Sequence, residues 1–438
     1  MPGSYDPSHA ECFSLLGWDF DRGVLVHQYA LDDHEFEERF VFPRAERMHT
    51  GEAFERACDL LHVAAATSYY KAGAPGMVSG IPGWLPGFAG PVFTHGLAEF
   101  AMSNGLDPIQ PAYAYLEPVD FDYDPDEDDC GWVPDRSDPA LVAVGGGKDS
   151  IVTIESMRRA AMPFVLGSVR THRAIEETAA ISGAEHLVID RVIDPRLLAL
   201  NEQGALNGHV PVTAINSAAL AALAIGLDLS AVIMSNEASA SVPLAGYRGM
   251  PVNHQWSKGV EFEELMAFYL PLPYFSLLRP LHEVEVCRRF ARLPDYFGTV
   301  TSCNRAYTAV GRAAGTRWCA DCPKCRFVFL ALAPFLAPDT LRGIFDGVDL
   351  LADAGDRNLD AYRAILGIAG EPPMECIGTT EESQWAVLRL ASDAGWRNHS
   401  VVRVLSGEVS VDPAWDPLSE RDEDWIPDEW RGAADALA

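Results

Sequence analysis

Positive charge is scarce in this chain. Its 33 lysines and arginines face 63 aspartates and glutamates, a net charge of −30. A partner held through many phosphates needs a cationic face, so the balance argues against nucleic acid. A solvated acidic surface is the plain reading, with room for a local basic groove inside it. No apolar run reaches about 18 residues, so no membrane-spanning helix and no membrane partner are expected. Met1 to Asp21 has early acids and no basic-then-apolar pattern, which speaks against a secretory signal. A disulfide framework is missing too. Nine cysteines is an odd count, and three crowd into one short segment. That favours a metal site in a reducing compartment, and the cytoplasm is the expected location.

What is present is a normal globular composition, 48% hydrophobic and 22% charged. At 438 residues, two or three domains are expected. Residues 1–135 read as an N-terminal α+β domain and a candidate for substrate binding. Phe13–Trp18, Val24–Tyr29 and Phe36–Phe42 alternate as strands, and Gly51–Lys71 has an apolar helical face. The Gly/Pro-rich run Ala72–Gly90 reads as loop, and Thr94–Met102 as a helix. Tyr123–Asp138 is acidic and poor in apolar residues, as a linker would be. In residues 136–270, strand-like runs at Leu141–Val144, Phe164–Leu166, His186–Ile189 and Ala231–Met234 alternate with helical segments. That spacing predicts a doubly wound parallel sheet of α/β class, with ligands beyond the carboxyl ends of its strands. Residues 271–411 turn mainly helical, and 412–438 form an acidic tail with scattered tryptophans.

Gly145-Gly146-Gly147-Lys148-Asp149-Ser150 lies between the first buried strand and a helix. Three glycines let the backbone approach a ligand closely, and the N–H groups at the helix start attract an anion. Lys148 offers a point charge, Ser150 a hydroxyl, and Asp149 a hard oxygen for the divalent ion that accompanies a polyphosphate. The spacing is not that of a Walker loop. It resembles the PP-loop, Ser-Gly-Gly-x-Asp-Ser, with Gly145 in place of the first serine. The resemblance implies an adenine-nucleotide-binding fold that cleaves ATP to AMP and pyrophosphate with Mg2+.

Cys303 is followed by Cys319-Ala320-Asp321-Cys322-Pro323-Lys324-Cys325. Four soft ligands in this spacing suit a closed, structural tetrahedral Zn2+ site, with an iron–sulfur cluster as the rival. Lys324 and Arg326 would offset the thiolate charge. Cys12, Cys58, Cys130, Cys287 and Cys376 are scattered and read as ordinary core or surface cysteines. A PP-loop domain followed by such a segment is similar to the deazaguanine synthase of queuosine biosynthesis. That enzyme also activates a carboxylate, but it is much shorter and has no counterpart of the first 135 residues. An amide- or nitrile-forming PP-loop enzyme is therefore the alternative reading.

Further segments carry a second resemblance. Ser235-Asn236-Glu237-Ala238-Ser239-Ala240 follows the strand Ala231–Met234, and Val252-Asn253-His254-Gln255-Trp256-Ser257-Lys258 leads into a helix. With Ser68-Tyr69-Tyr70-Lys71 and Asn207-Gly208-His209-Val210-Pro211, these resemble the UDP-N-acetylmuramoyl-L-alanyl-L-glutamate epimerase family over about Cys12 to Pro334. The resemblance implies a small sugar-nucleotide dipeptide as substrate. Its terminal L-glutamate would be adenylated, inverted at the α-carbon and released by hydrolysis. Removing an α-proton beside a carboxylate puts two negative charges on adjacent atoms; an acyl phosphate relieves that repulsion. Candidate roles follow. Asn236 and Glu237 would bind Mg2+ or the ribose, and His254 would act as acid or base. Lys258 would hold phosphate or serve as the base, and Tyr69, Tyr70 and Lys71 would bind the uridine or sugar. His209 reads as structural. A helix-start acid explains Glu237 as well, a solvated cation Lys258, and a helix face the tyrosines. A second proton-transfer group is not evident.

Overall fold

The computed structural model describes residues 5–115, 130–308, 315–371, 373–421 and 425–437. Of the acidic stretch read as a linker over Tyr123–Asp138, residues 123–129 fall outside these described residues. The chain builds a mixed α/β architecture around one ten-stranded, mostly parallel sheet.

Alternation, interrupted in β1 by an irregularity between Leu15 and Gly17, makes the first three strands, β1 (Cys12–Asp21), β2 (Val24–Leu31) and β3 (His34–Val41), an antiparallel meander. Leu25, His27, Tyr29 and Leu31 of β2 point into the core, as do Phe36, Glu38 and Phe40 of β3. Helix α1 (Glu52–Tyr70) follows and is buried along most of its length. The run read as loop contains β4 (Met77–Ile81), which pairs in parallel with β1. Its turn-like composition has a packing cause. Gly80 has φ +78°, and a Cβ there would sit 2.0 Å from the Leu15 carbonyl oxygen. The glycine that disguises the strand is what lets it approach β1. The single helix expected over Thr94–Met102 is divided between α2 (Pro86–Thr94) and α3 (Ala98–Ser103). Strand β5 (Ala112–Tyr115) closes this edge.

The parallel half then runs β6 (Ala140–Ala143), α4 (Lys148–Arg159), β7 (Phe164–Val169), α5 (Arg173–Ser182) and β8 (His186–Val192). It continues with α6 (Pro195–Glu202), α7 (Val212–Gly226), β9 (Val232–Met234), the small hairpin β10 (Ala245–Tyr247) and β11 (Met250–Val252), α8 (Val260–Tyr269), β12 (Tyr274–Ser276) and α9 (Glu283–Phe290). Strand order is β12-β9-β6-β7-β8-β3-β2-β1-β4-β5. The chain proceeds outward from β6 through β7 and β8, then returns to the other side of β6 for β9. That reversal makes a crevice at the carboxyl end of β6. Alternation along β6 divides the core. Leu141 belongs to the core on the α7 face, whereas Ala140 and Val142 belong to the core on the opposite face with Ile154, Met157 and Ile175.

The sheet is continuous because β3 pairs with β8, Phe40 opposite Arg191. Beneath this seam the Arg191 Nε donates to Glu38 Oε1 at 2.6 Å, and its Nη2 to Ser68 Oγ at 3.0 Å. Glu38 is fully buried, so its charge depends on Arg191. Arg191→Ala is expected to cost about 3–5 kcal/mol, since it strands a buried carboxylate. Urea unfolding checks this; a loss below about 1 kcal/mol would show that the pair does not hold the seam.

Helices after α9 form a separate core with Trp396, Tyr362 and Phe329 at its centre. The tail returns to the sheet: Trp430 is buried against Phe275, with ring centroids 5.9 Å apart, while Trp425 is exposed. Among the described residues no helix is long and apolar enough to cross a membrane.

Candidate active site

A cavity of about 400 Å³ opens at the carboxyl ends of β6, β7 and β9. Gly145, Gly147, Asp149 and Ser150 form its floor, and Ser235 and Asn236 its side. Val144, Val169, Ile175, Leu220 and Met234 supply an apolar part. Thr301, Ser302, Asn304 and Tyr307 come from beyond the sheet, with Lys258, Lys324 and Cys376.

The glycine loop is shaped by contacts that only glycine allows. Gly146 has φ +74°, and a Cβ there would meet Ala174 and Ile175 backbone atoms at 2.9 Å. Gly147 starts α4 with no side-chain cap, which leaves the helix's first N–H groups for another acceptor. The far wall fixes the loop. Tyr307 Oη donates to the Gly145 carbonyl at 2.7 Å, and the Thr301 N–H to that of Gly146 at 3.1 Å. Ser150 Oγ donates to the Gly147 carbonyl at 3.0 Å. A Cβ on Gly145 would meet nothing within 4 Å, so the serine of the PP-loop pattern would fit there.

Lys148 is placed differently from the point charge expected of it. It is buried, lines none of the cavity, and joins Asp149 to Glu283, whose Oε1 lies 2.7 Å from Nζ. Burial opposes charge on Asp149, but Lys148 and Lys324 outweigh it and hold its carboxyl below the usual range. Glu237 is buried beside Glu283 and Asp149, and these push its pKa up to about 8. Arg279 fixes two neighbouring segments. Its Nη2 lies 2.6 Å from Glu263 Oε2 and 2.7 Å from the Lys258 carbonyl, and its Nη1 donates to the Glu237 carbonyl at 2.9 Å. The Asn236 carbonyl accepts from Ser276 Oγ at 2.7 Å. The Ser235 hydroxyl is buried with no partner among the described residues.

A second group of ionisable residues adjoins Lys258. Lys258 Nζ donates to Cys376 Sγ at 3.4 Å. His254 neighbours Cys376 and is hydrogen-bonded through Nδ1 to Glu99 Oε2 at 2.6 Å. His209 lies against His254, ring centroids 4.6 Å apart and planes tilted by 47°, with Nδ1 3.7 Å from the same Glu99 oxygen. Burial would raise the Cys376 thiol, but the Lys258 charge and the His254 hydrogen bond bring it down to about 6. Burial would likewise discharge His254, yet its bonds to Cys376 and Glu99 raise it to about 9. Thiolate and imidazolium thus coexist at neutral pH. Burial and the neighbouring His254 charge lower His209 to about 4, so it is neutral.

Tyr69 and Tyr70 lie in the core at the end of α1, away from the cavity. Tyr69 Oη accepts from the Asp194 N–H at 3.1 Å, and Tyr70 Oη donates to the Pro75 carbonyl at 2.9 Å. Lys71 Nζ donates to Asn207 Oδ1, two residues before His209.

Cys303, Cys319, Cys322 and Cys325 converge, with sulfurs within 4.8 Å of one another. Cys319 Sγ and Cys322 Sγ lie 3.7 and 3.5 Å from Cys325 Sγ. Backbone N–H groups of Cys319, Cys322 and Cys325 point at Cys303, Cys319 and Cys322 sulfurs at 3.3–3.4 Å. Sulfurs so spaced and so hydrogen-bonded could hold a metal ion such as zinc. The cluster borders the site, since Asn304 and Lys324 on the cavity wall adjoin Cys303 and Cys325.

Sequence reasoning did not place Cys376, Lys324, Glu99 or Glu283 in a site. Lys324 was read only as a counter-charge to the thiolates. Cys376 and Glu99 carry no local motif; they meet His254 only in three dimensions.

A glycine loop at a sheet crevice, two lysines and a paired acid–base cluster make this cavity a candidate active site. The comparisons agree and are more specific. Residues 4–277 match the MurL N-terminal domain and residues 299–418 the MurL C-terminal domain. The chain is 42% identical over 433 residues to the UDP-N-acetyl-alpha-D-muramoyl-L-alanyl-L-glutamate epimerase of Salinispora tropica, covering 92% of this chain and 89% of the relative. It is 42% identical over 435 residues to the enzyme of the same name from a Micromonospora species, covering 94% and 93%. Against that of Xanthomonas oryzae pv. oryzae it is 38% identical over 430 residues, covering 92% and 90%. The chain belongs to the MurL family and is an isomerase.

Proposed function

We propose that this enzyme inverts the terminal L-glutamate of UDP-N-acetylmuramoyl-L-alanyl-L-glutamate to the D form in peptidoglycan precursor synthesis in the cytoplasm. In this reading ATP first converts the free α-carboxylate to an acyl adenylate, releasing pyrophosphate. The α-carbon is inverted at that stage, and hydrolysis releases AMP. The observation that carries the reading is a single cavity lined by the glycine loop and by Lys258 and Cys376, with His254 and Glu99 of the ionisable cluster behind them. The names and coverage of the relatives support the substrate.

The residues fit a nucleotide and its metal. The loop and α4 N-terminus suit phosphate oxygens, as in a PP-loop, and the Ser235 hydroxyl is free for a ligand. The apolar side of the cavity suits a planar base. Asp149 is an ionised hard oxygen donor for Mg2+, with Asn236 and Glu237 beside it. Mg2+ would neutralise developing phosphate charge. Lys258 and Lys324 draw the anionic substrate into an otherwise acidic protein, and His254 belongs to the proton-transfer apparatus at the α-carbon. Lys148 holds Asp149 in place through the bridge to Glu283. The four cysteines hold a structural Zn2+ that supports the wall carrying Asn304 and Lys324.

Incubation with ATP, Mg2+ and UDP-N-acetylmuramoyl-L-alanyl-L-glutamate tests the reading. The expected products are AMP, pyrophosphate and a nucleotide whose acid hydrolysate yields D-glutamate. ADP in place of AMP would exclude the adenylate, and AMP with unchanged L-glutamate would exclude the epimerase.

A further inference from the structure

Inversion at a carbon brings a proton to one face and takes it from the other, so the cavity must present a group able to carry it. His254 is the obvious candidate by residue type, but it does not line the cavity; Cys376 does. His254 stands beside Cys376, and its Nδ1 lies 2.6 Å from Glu99 Oε2. This is the nucleophile–base–orienter arrangement that activates a thiol. Lys258, which lines the cavity beside the sulfur, donates to it at 3.4 Å. The buried, unpartnered hydroxyl of Ser235 on the same cavity independently points to a ligand there.

The loop carrying Cys376 is pinned on every side. The Ile377 carbonyl accepts from Gln255 Nε2 at 3.2 Å, next to His254 in sequence. The Glu375 carboxylate accepts from Asn304 Nδ2 at 3.2 Å and from the Lys324 N–H at 3.3 Å. Glu382 caps the following helix through Thr379 and also accepts from Ser239 Oγ at 2.6 Å and the Val284 N–H at 3.2 Å. A loop so held delivers one side chain at a fixed position. It belongs to the segment matching the C-terminal family model, whereas Glu99, His254 and Lys258 belong to the N-terminal one, so the site is complete only with both.

We infer that Cys376 is a catalytic residue whose Sγ carries the α-proton on one face of the activated glutamate, with His254 and Glu99 as positioning residues. The inference rests on the epimerase reading above. With the thiolate as base, the C–H bond at the α-carbon breaks and an S–H bond forms. The C–H electron pair moves onto the acyl oxygen as an enolate. A proton from the opposite face then makes the new C–H bond, and Cys376 returns to the thiolate by releasing its proton to solvent, His254 staying an imidazolium beside it. Microscopic reversibility makes the thiol the acid in the opposite direction. No oxidant or reductant enters.

The test uses the full-length enzyme with ATP and Mg2+ in heavy water, starting separately from the L-glutamate substrate and its D-glutamate epimer. Cys376→Ala should keep AMP release within about threefold while losing at least about 100-fold in inversion, the scale of a proton-transfer group. Deuterium should still enter from only one epimer. Inversion near the unaltered rate, exchange from both epimers, or loss of AMP release in a folded variant would each overturn the assignment. Iodoacetamide treatment of the unaltered enzyme, with the modified peptide mapped by mass spectrometry, covers a variant that does not fold. Carboxamidomethylated Cys376 must abolish inversion; inversion by the modified enzyme would overturn the assignment. For the positioning role, Glu99→Gln should diminish the thiolate ultraviolet absorbance that distinguishes the unaltered enzyme from Cys376→Ser; an unchanged signal would remove Glu99 from that role. Failure of the unaltered enzyme to invert the substrate would overturn the epimerase reading, and this inference with it.

Discussion

Asp149→Asn is expected to lower substrate-dependent AMP formation by at least about 10³-fold and to leave the fold intact. The carboxylate belongs to the glycine loop proposed to receive phosphate and is held in its ionised form, and the amide that replaces it is a much poorer ligand for a hard cation. Losing about 4 kcal/mol of transition-state stabilisation corresponds to that factor. The fold is expected to survive because Lys148 keeps its 2.7 Å bond to Glu283. Glu237 should also titrate lower once the neighbouring negative charge is gone. Chromatographic assay of AMP, with circular dichroism as the fold control, checks this. AMP formation within tenfold of the unaltered rate would remove Asp149 from the metal-binding role.

Removal of the metal from the four-cysteine cluster is expected to have an equally large effect on stability. Structural zinc contributes about 10–16 kcal/mol of apparent binding energy in small peptides, which rivals the whole stability of a domain. Here Cys322 both offers a ligand and caps the helix Pro323–Leu332, and that helix packs in the C-terminal core. The purified protein should carry one metal ion per chain, read by mass spectrometry of the digested sample. Cys322→Ala, or a strong chelator, should lower the unfolding temperature by more than about 5 °C. Catalysis should fall as well, because Lys324 and Asn304 share that wall. A metal-free protein with unchanged unfolding would contradict the site.

Much of this was legible locally. The period-two pattern of β1 to β3, the alternation from β6 to β9 and the spacing of the four cysteines are all short-range signals. So was the position of the glycine loop, since a buried strand and a helix flank it in sequence. What escaped was tertiary. β4 hid in a Gly/Pro-rich run because its close approach to β1 needs Gly80. The fusion of the two sheet halves depends on β3 meeting β8, more than 140 residues later, and no local pattern announces that. Lys148 looked like a phosphate ligand because of its neighbours in sequence, but Glu283 captures it. Cys376 looked ordinary because nothing beside it in sequence is reactive; Lys258 and His254 activate it from another part of the chain.

The most direct measurement is mass spectrometry of UDP-N-acetylmuramoyl-L-alanyl-L-glutamate after incubation with the enzyme in heavy water, with ATP, without it, or with α,β-methylene ATP. Deuterium at the glutamate α-carbon with ATP alone is the predicted result, because only the cleaved nucleotide acidifies that carbon. Equal deuterium incorporation without ATP, or with the uncleavable analogue, would contradict the account.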